Sequence, residues 1–189
     1  VKAEWAENYN ELILTYGNYS IPVICNKVNY NTAIDITMNT TVDYRFDAPA
    51  GIRFSYGVSG LETLRADNTV ADVKLGTIIA PKDLINGKLT HFEMTNNGKT
   101  YLDIIASYIK DTNTVSAVLS NIRTVNMTRE FSAIGYALIT YTDGNTKYVY
   151  ADNAVTARPS TVASELLANN SDLNAEEIAA LEGIVDIAA

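Results

Sequence analysis

Catalysis by a side-chain nucleophile needs a base within hydrogen-bond reach, most often a histidine. The chain has a single histidine, His91, in Lys88-Leu89-Thr90-His91-Phe92-Glu93, and a single cysteine, Cys25, in the apolar stretch from Ile21 to Val28. A Cys25/His91 dyad is the thiol chemistry this offers. Nothing around Cys25 resembles a nucleophile loop, however, and the polar flanks of His91 predict an exposed position. Cys25 reads better as a small buried hydrophobe. One histidine and one cysteine also fall short of the usual zinc ligand set. Two carboxylates can hydrolyse a glycosidic bond. Asp43 with Asp47 and Asp103 with Asp111 are candidates, but spacing does not separate them from solvated strand residues. Asp143-Gly144-Asn145 and Asp67-Asn68 place oxygen ligands in turns without the spaced pattern of a calcium loop. Neither Gly-x-Gly-x-x-Gly nor a Walker motif occurs. No catalytic residue, metal or cofactor is therefore expected.

The aromatic residues offer binding chemistry instead. The chain holds 12 tyrosines, each an apolar ring with a polar tip. A sugar is held by flat rings against its C–H faces and by polar groups that reach its hydroxyls, a case of convergent polar groups on an apolar floor. Tyr136, Tyr141, Tyr148 and Tyr150 lie on the two arms of a hairpin around residues 143–145 and are the candidate ligand-binding residues. Strand alternation puts Tyr148 and Tyr150 on one face. The competing reading is cross-strand tyrosine pairing or core packing. Trp5 reads as a helix anchor, and Tyr16 and Tyr19 fit either role. Asn18-Tyr19-Ser20, Asn39-Thr40-Thr41 and Asn126-Met127-Thr128 match the glycosylation acceptor pattern, as an Asn- and Thr-rich chain does by chance.

The elements that must position these residues are mostly strands. Trp5, Tyr9, Leu12 and Tyr16 at spacings of three and four predict a helix over 4–16 ended by Gly17. A strand through Leu12-Ile13-Leu14 competes with it. From about residue 33 to 160 the pattern predicts strands at 34–38, 41–46, 51–58, 73–79, 101–109, 115–119, 131–142 and 147–151. Asp143-Gly144-Asn145 is a strong hairpin mark, and Asn86-Gly87 and Asn97-Gly98 are similar. Pro159 begins a short helix over 160–168. Asn174-Ala175-Glu176-Glu177 forms a capping box before the stripe Ile178, Leu181, Ile184, Val185. The prediction is a mainly β chain, a β-sandwich-like domain with short terminal helices. Its parts are an N-terminal helical or extended segment (1–32), the β domain (33–158) and a C-terminal helical hairpin (159–189) packed on it or on a neighbouring module.

Composition narrows the partners. Fourteen basic against 22 acidic residues give a formal charge of −8, and no basic run meets the demand of a phosphate backbone, so nucleic acid is excluded. No stretch approaches the roughly 20 apolar residues of a membrane-spanning helix. A lone cysteine forms no internal disulfide, which a domain of this size does not need in order to build a core. The abrupt opening at Val1, without a signal segment, reads as a piece cut from a longer protein. A monomer is expected.

Several segments together resemble a module that recurs in large secreted and surface-attached proteins of anaerobic gut Gram-positive bacteria, including fibre- and starch-degrading assemblies. The resemblance rests on Gly51-Ile52-Arg53-Phe54, on Leu75-Gly76-Thr77-Ile78-Ile79-Ala80-Pro81 with Asp83-Leu84, on Val118-Leu119-Ser120-Asn121-Ile122 and on Thr128-Arg129-Glu130-Phe131-Ser132-Ala133. Tyr141-Thr142-Asp143-Gly144 and Tyr150-Ala151-Asp152 complete it, and it covers roughly residues 50–187. It implies an extracellular or cell-surface setting and a fold, with no catalytic residues to carry over. The expectation is a non-catalytic module that binds polysaccharide through a tyrosine-bearing surface. The alternative is a structural spacer or protein-interaction module whose terminal helices need a partner. An enzyme using two carboxylates would require a cleft with facing acids about 5–10 Å apart.

Overall fold

The computed structural model describes residues 2–5, 11–24, 30–109 and 112–188. The chain divides into two compact units, Val1–Asn31 and Thr32–Ala189.

The first unit is a three-stranded antiparallel sheet of β1 (Lys2–Trp5), β2 (Glu11–Tyr16) and β3 (Tyr19–Ile24), with β2 in the middle. The helix expected over 4–16 does not form: Glu11–Tyr16 is a strand, as the competing reading had it. The local chemistry decides this. Leu12-Ile13-Leu14-Thr15-Tyr16 is rich in β-branched and aromatic residues, and Gly17, at φ 60°, closes a tight turn that sets Tyr16 opposite Tyr19. Cys25 and Tyr9 lie outside the described residues.

The second unit is mainly β, with two five-stranded antiparallel sheets, a one-turn helix α1 (Leu61–Arg65) and short C-terminal helices. In one sheet β4 (Asp35–Met38) and β5 (Asp43–Arg45) pair with opposite ends of β6 (Gly51–Ser59). The far side of β6 pairs with β10 (Thr114–Ser120), and β10 with β9 (Ser107–Ile109). In the other, β7 (Val70–Pro81) and β11 (Phe131–Tyr141) form the long central pair. They are flanked by β8 (Leu102–Ile105) on β7 and by β12 (Thr146–Tyr150) and β13 (Val155–Ala157) on β11. The strand expected over 101–109 is thus two strands, which leave Ala106 between them and join different sheets.

Period-two alternation marks the buried faces of β6 and β10. Ile52, Phe54, Tyr56 and Val58 from β6 and Val115, Ala117 and Leu119 from β10 are buried. On β11 almost every residue is buried, because both faces of this strand are covered. Gly135 faces the first sheet: a Cβ there would lie 2.7 Å from the Tyr56 ring, and its N–H points at the Met38 sulfur, 3.1 Å away. The Tyr56 hydroxyl crosses to donate to the Gly76 carbonyl at 2.8 Å. On the opposite face of the same strand pair, Tyr136 lies directly across from Gly76, and its ring occupies the space a Cβ on Gly76 would need.

The helical hairpin closes on its own domain. In α3 (Pro159–Asn169) and α4 (Ala175–Ala188), Ala163, Leu181 and Ile184 form a buried cluster, against which Tyr44, Phe46 and Met127 of the β unit pack. The capping box is complete. Asn174 Oδ1 accepts from the N–H groups of Glu176 (2.9 Å) and Glu177 (3.0 Å), and Glu177 Oε2 accepts from the Asn174 N–H at 2.9 Å. Asp83 and Arg129, far apart in sequence, form a two-pronged ion pair at 2.9 and 2.7 Å.

Substituting Gly76→Ala should cost about 1–3 kcal/mol, the usual range for overpacking, because the new methyl meets the Tyr136 ring. Urea denaturation checks this. The same substitution at Gly57, where a Cβ meets nothing within 4 Å, should cost less.

Candidate functional site

The side chains with the richest chemistry meet on the face of the β7–β11 sheet that carries Tyr136. A short helix, α2 (His91–Asn96), lies there with Leu89 and Met94 buried beneath it. Thr90 caps the helix, its hydroxyl accepting the Glu93 N–H at 3.2 Å. Asn97-Gly98, which the sequence offers as a hairpin turn, instead ends this helix, with Gly98 at φ 60°. His91 is accordingly not an exposed loop residue; its side chain keeps 14% of its accessible surface. The pattern Thr90-x-x-Glu93 was the signal for a helix start.

His91 sits at the centre of a hydrogen-bonded chain. Its Nε2 lies 2.9 Å from Asp103 Oδ2 and its Nδ1 lies 2.7 Å from the Tyr150 hydroxyl. The other Asp103 oxygen, Oδ1, accepts from the Tyr136 hydroxyl at 2.6 Å. The tautomer follows from donor and acceptor accounting. In the neutral imidazole, an Nε2–H donated to the Asp103 carboxylate leaves Nδ1 to accept the Tyr150 O–H. The Tyr150 oxygen in turn accepts the His91 backbone N–H at 3.2 Å.

Rings pack around this chain. Tyr148 and Tyr150, two residues apart on β12, stack at 5.7 Å with 18° between their planes. The His91 ring lies 4.3 Å from Tyr148, tilted by 30°, and meets Tyr136 edge-on at 4.8 Å. Beside them is an open groove of about 530 Å³ lined by Thr90, His91, Phe92, Thr95, Tyr148 and Tyr150, among others. Phe92 is 71% exposed and Tyr148 39%.

The four tyrosines singled out in the sequence therefore divide. Tyr148 and Tyr150 reach the groove together. Tyr136 and Tyr141 are 1% and 2% exposed and offer no ring to a surface ligand. Tyr136 supports the site from beneath through Asp103, and Tyr141 belongs to the core. The β11 alternation runs between two covered faces, so a tyrosine on either face is buried. Phe92 goes unnoticed in the sequence, and His91 and Asp103 stand out there only with Cys25 and Asp111 as partners, because α2 and β8 are elements that only the tertiary structure brings to β12.

A tyrosine, histidine and aspartate in series resemble a relay that could activate a nucleophile. Burial argues against that use, since it raises the Tyr150 phenol above its ordinary value, with only partial relief from the His91 N–H. The phenol keeps its proton. Tyr148 is raised by burial and then by the Asp103 charge, and Tyr136 far more strongly by burial and then by its bond to Asp103. The chain of bonds fixes ring orientation.

Three of the other acidic candidates, Asp43, Asp143 and Asp67, are occupied locally. Asp43 pairs with Arg53 across β5 and β6, and Asp111 lies outside the described residues. Asp143 accepts from the backbone and side-chain amide of Asn145, and Asp67 from Thr69. Among the described residues no three His, Cys, Asp or Glu side chains gather as a metal site would need, and no helix is long and apolar enough to cross a membrane. No protein-family model matches the chain, and neither does any protein of curated function.

The raised phenols carry a pH signature. Tyr44, Tyr56, Tyr136, Tyr141, Tyr148 and Tyr150 all sit above the ordinary value in the fold. They contribute stability that is complete below about pH 10, where the unfolded tyrosines are still protonated. That stability drains away as pH rises through the folded values. Phenolate absorbance should thus lag behind free tyrosine until the fold opens, then rise sharply, and Tm should fall steadily above about pH 10. A second expectation concerns the Tyr136–Asp103 bond: a double-mutant cycle with Tyr136→Phe and Asp103→Ala should show a coupling of about 0.5–3 kcal/mol.

Proposed function

We propose that this protein is a non-catalytic glycan-binding module that holds polysaccharide in the groove beside Tyr148. The observation that carries this reading is a pre-oriented aromatic surface: exposed Phe92 and half-exposed Tyr148, with Tyr148 stacked on Tyr150 and backed by His91. Ring faces suit the C–H faces of sugars, and the polar groups of Thr95 and Asn96 on the same wall suit their hydroxyls. Rings held in place before binding lose little freedom on binding, which favours affinity. We read the two antiparallel sheets of the second unit as a β-sandwich, and the module as part of a larger extracellular or surface-attached protein. The resemblance to modules of anaerobic gut Gram-positive bacteria favours that setting.

The second reading is a protein-interaction or spacer module. The helical hairpin no longer favours it, because its apolar stripe packs on Tyr44 and Phe46 of its own domain. What still favours it is the exposure of Ile105 (63%) and Ile109 (54%) on β8 and β9, strands at the edges of their sheets.

Affinity electrophoresis through gels containing starch, xylan, xyloglucan, β-glucan, pectin or mannan separates the two. The expected result is retardation by at least one glycan, weakened about ten-fold or more by Phe92→Ala or Tyr148→Ala, as for aromatic anchors generally. Tyr141→Phe, which alters a buried ring, should leave retardation unchanged. Migration unaffected by every glycan would remove the glycan reading and leave the edge strands as the surface to test.

A further inference from the structure

The groove beside Tyr148 does not end at Tyr150. A second groove of about 410 Å³ lies against it, lined by Lys88, Thr90, Tyr150, Asp152 and Asn153 among others. The two grooves share Thr90 and Tyr150 as a common wall. That wall is rigid for a physical reason. The Tyr150 hydroxyl is held by both the backbone N–H and the ring Nδ1 of His91, at 3.2 and 2.7 Å, which staples the start of α2 to the end of β12. Resting on the glycan-binding reading above, we infer that the two grooves are adjacent subsites for one ligand, and that this ligand is the interior of an uncharged glycan chain, not a single terminal sugar.

The two subsites differ in a way that fits a chain. The groove on the α2 side carries the exposed ring of Phe92 and the face of Tyr148. It is the anchoring half, where apolar contact dominates. The groove on the far side of Tyr150 presents no aromatic ring beyond Tyr150 itself; its walls carry the exposed polar side chains of Lys88, Asp152 and Asn153. With Leu89, Ile134, Ala151 and Ala154 also in its lining, it is only the more polar half, whose exposed side chains can take up the hydroxyls of units that extend past the ridge. A ligand confined to one sugar would use only one of these.

Charge selects the class of chain. Lys88 and Asp152 oppose one another in formal charge in the second groove, and Thr90, Thr95, Asn96 and Asn153 of the two linings carry none. Asp103, bonded to His91, lies behind the first groove, and the whole chain carries −8. A polyuronate would bring a row of carboxylates to a wall with one lysine, against that surrounding field. An uncharged chain meets no such opposition.

The test is isothermal titration with size-graded malto-, cello-, xylo- and manno-oligosaccharides, and with oligogalacturonides as the anionic probe. Affinity for one neutral series should rise with each added unit until both grooves are filled and then level off. Asn153→Ala, at an exposed position outside the aromatic groove, should lower affinity for the longest oligomers about ten-fold and leave the shortest unchanged. Phe92→Ala should weaken all lengths. Equal affinity at every length, or an Asn153→Ala protein that binds the longest oligomer as the parent does, would overturn the two-subsite inference while the glycan reading stands. Tighter binding of oligogalacturonides than of any neutral series would overturn the uncharged class. No heat with any probe, together with no retardation in the polysaccharide gels, would remove the glycan reading itself.

Discussion

The absence of a side chain at Gly76 is the constraint on which the site depends. A β7 residue with a Cβ at this point would push the Tyr136 ring off the sheet. Without it the ring lies over Gly76 and its hydroxyl reaches Asp103 at 2.6 Å. A second glycine, Gly135, does the same on the opposite face for Tyr56, whose hydroxyl returns to the Gly76 carbonyl. Two large rings thus enter the central strand pair from opposite sides within one residue step, each in a hollow that only glycine leaves. Glycine weakens a strand interior when nothing fills the space. Here a tyrosine fills it, and the rings tie the sheet to what lies above and below.

From that point the geometry runs outward by hydrogen bonding. Tyr136 fixes Asp103, which fixes the tautomer and plane of His91, and His91 fixes both Tyr150 and the ring of Tyr148 stacked on it. Charge-assisted bonds to a carboxylate are the stronger kind, and a chain of bonds with every member satisfied is stiffer than its separate links. The same network that could serve a nucleophile is here sunk far enough that its phenols are less acidic than free tyrosine. In the fold, the network orients an aromatic face.

Much of the fold was legible because it obeys short-range rules. Period-two alternation located β4, β6 and β10, the Asp143-Gly144 turn joined β11 to β12, and the Asn174/Glu177 box marked the start of α4. The helix expected over 4–16 does not form, because strand-forming residues running up to a turn glycine outweigh aromatic spacing at three and four. In the site, Tyr148 and Tyr150 were legible as a same-face pair, while Phe92, His91 and Asp103 were not. Their partners are 59 and 12 residues away in sequence, and only the docking of α2 on the sheet brings them together. Even so, Thr90 and Glu93 announced that helix locally, and a helix there would have placed His91 and Phe92 at its first turn.

The tyrosine content that first suggested a binding surface has two physical sources, and they pull in opposite directions. Tyr56, Tyr136 and Tyr141 are among the most deeply buried large side chains in the protein; they are present as long, flat core residues whose hydroxyls must find partners inside. Tyr148, one strand away, is exposed on the same ring chemistry. What sorts them is their neighbour across the ladder. Tyr136 faces Tyr150 and Gly76 on the central strand, covered on both sides, whereas Tyr148 faces Leu138 from the edge strand β12, where cover ends. An abundance of tyrosine therefore says that a β protein uses amphipathic rings, and strand position decides which of them a ligand can touch. The exposed face is small and is built from one tyrosine, one phenylalanine and the histidine that steadies them. The buried tyrosines offer no surface of their own; Tyr136 contributes to that face only through its bond to Asp103.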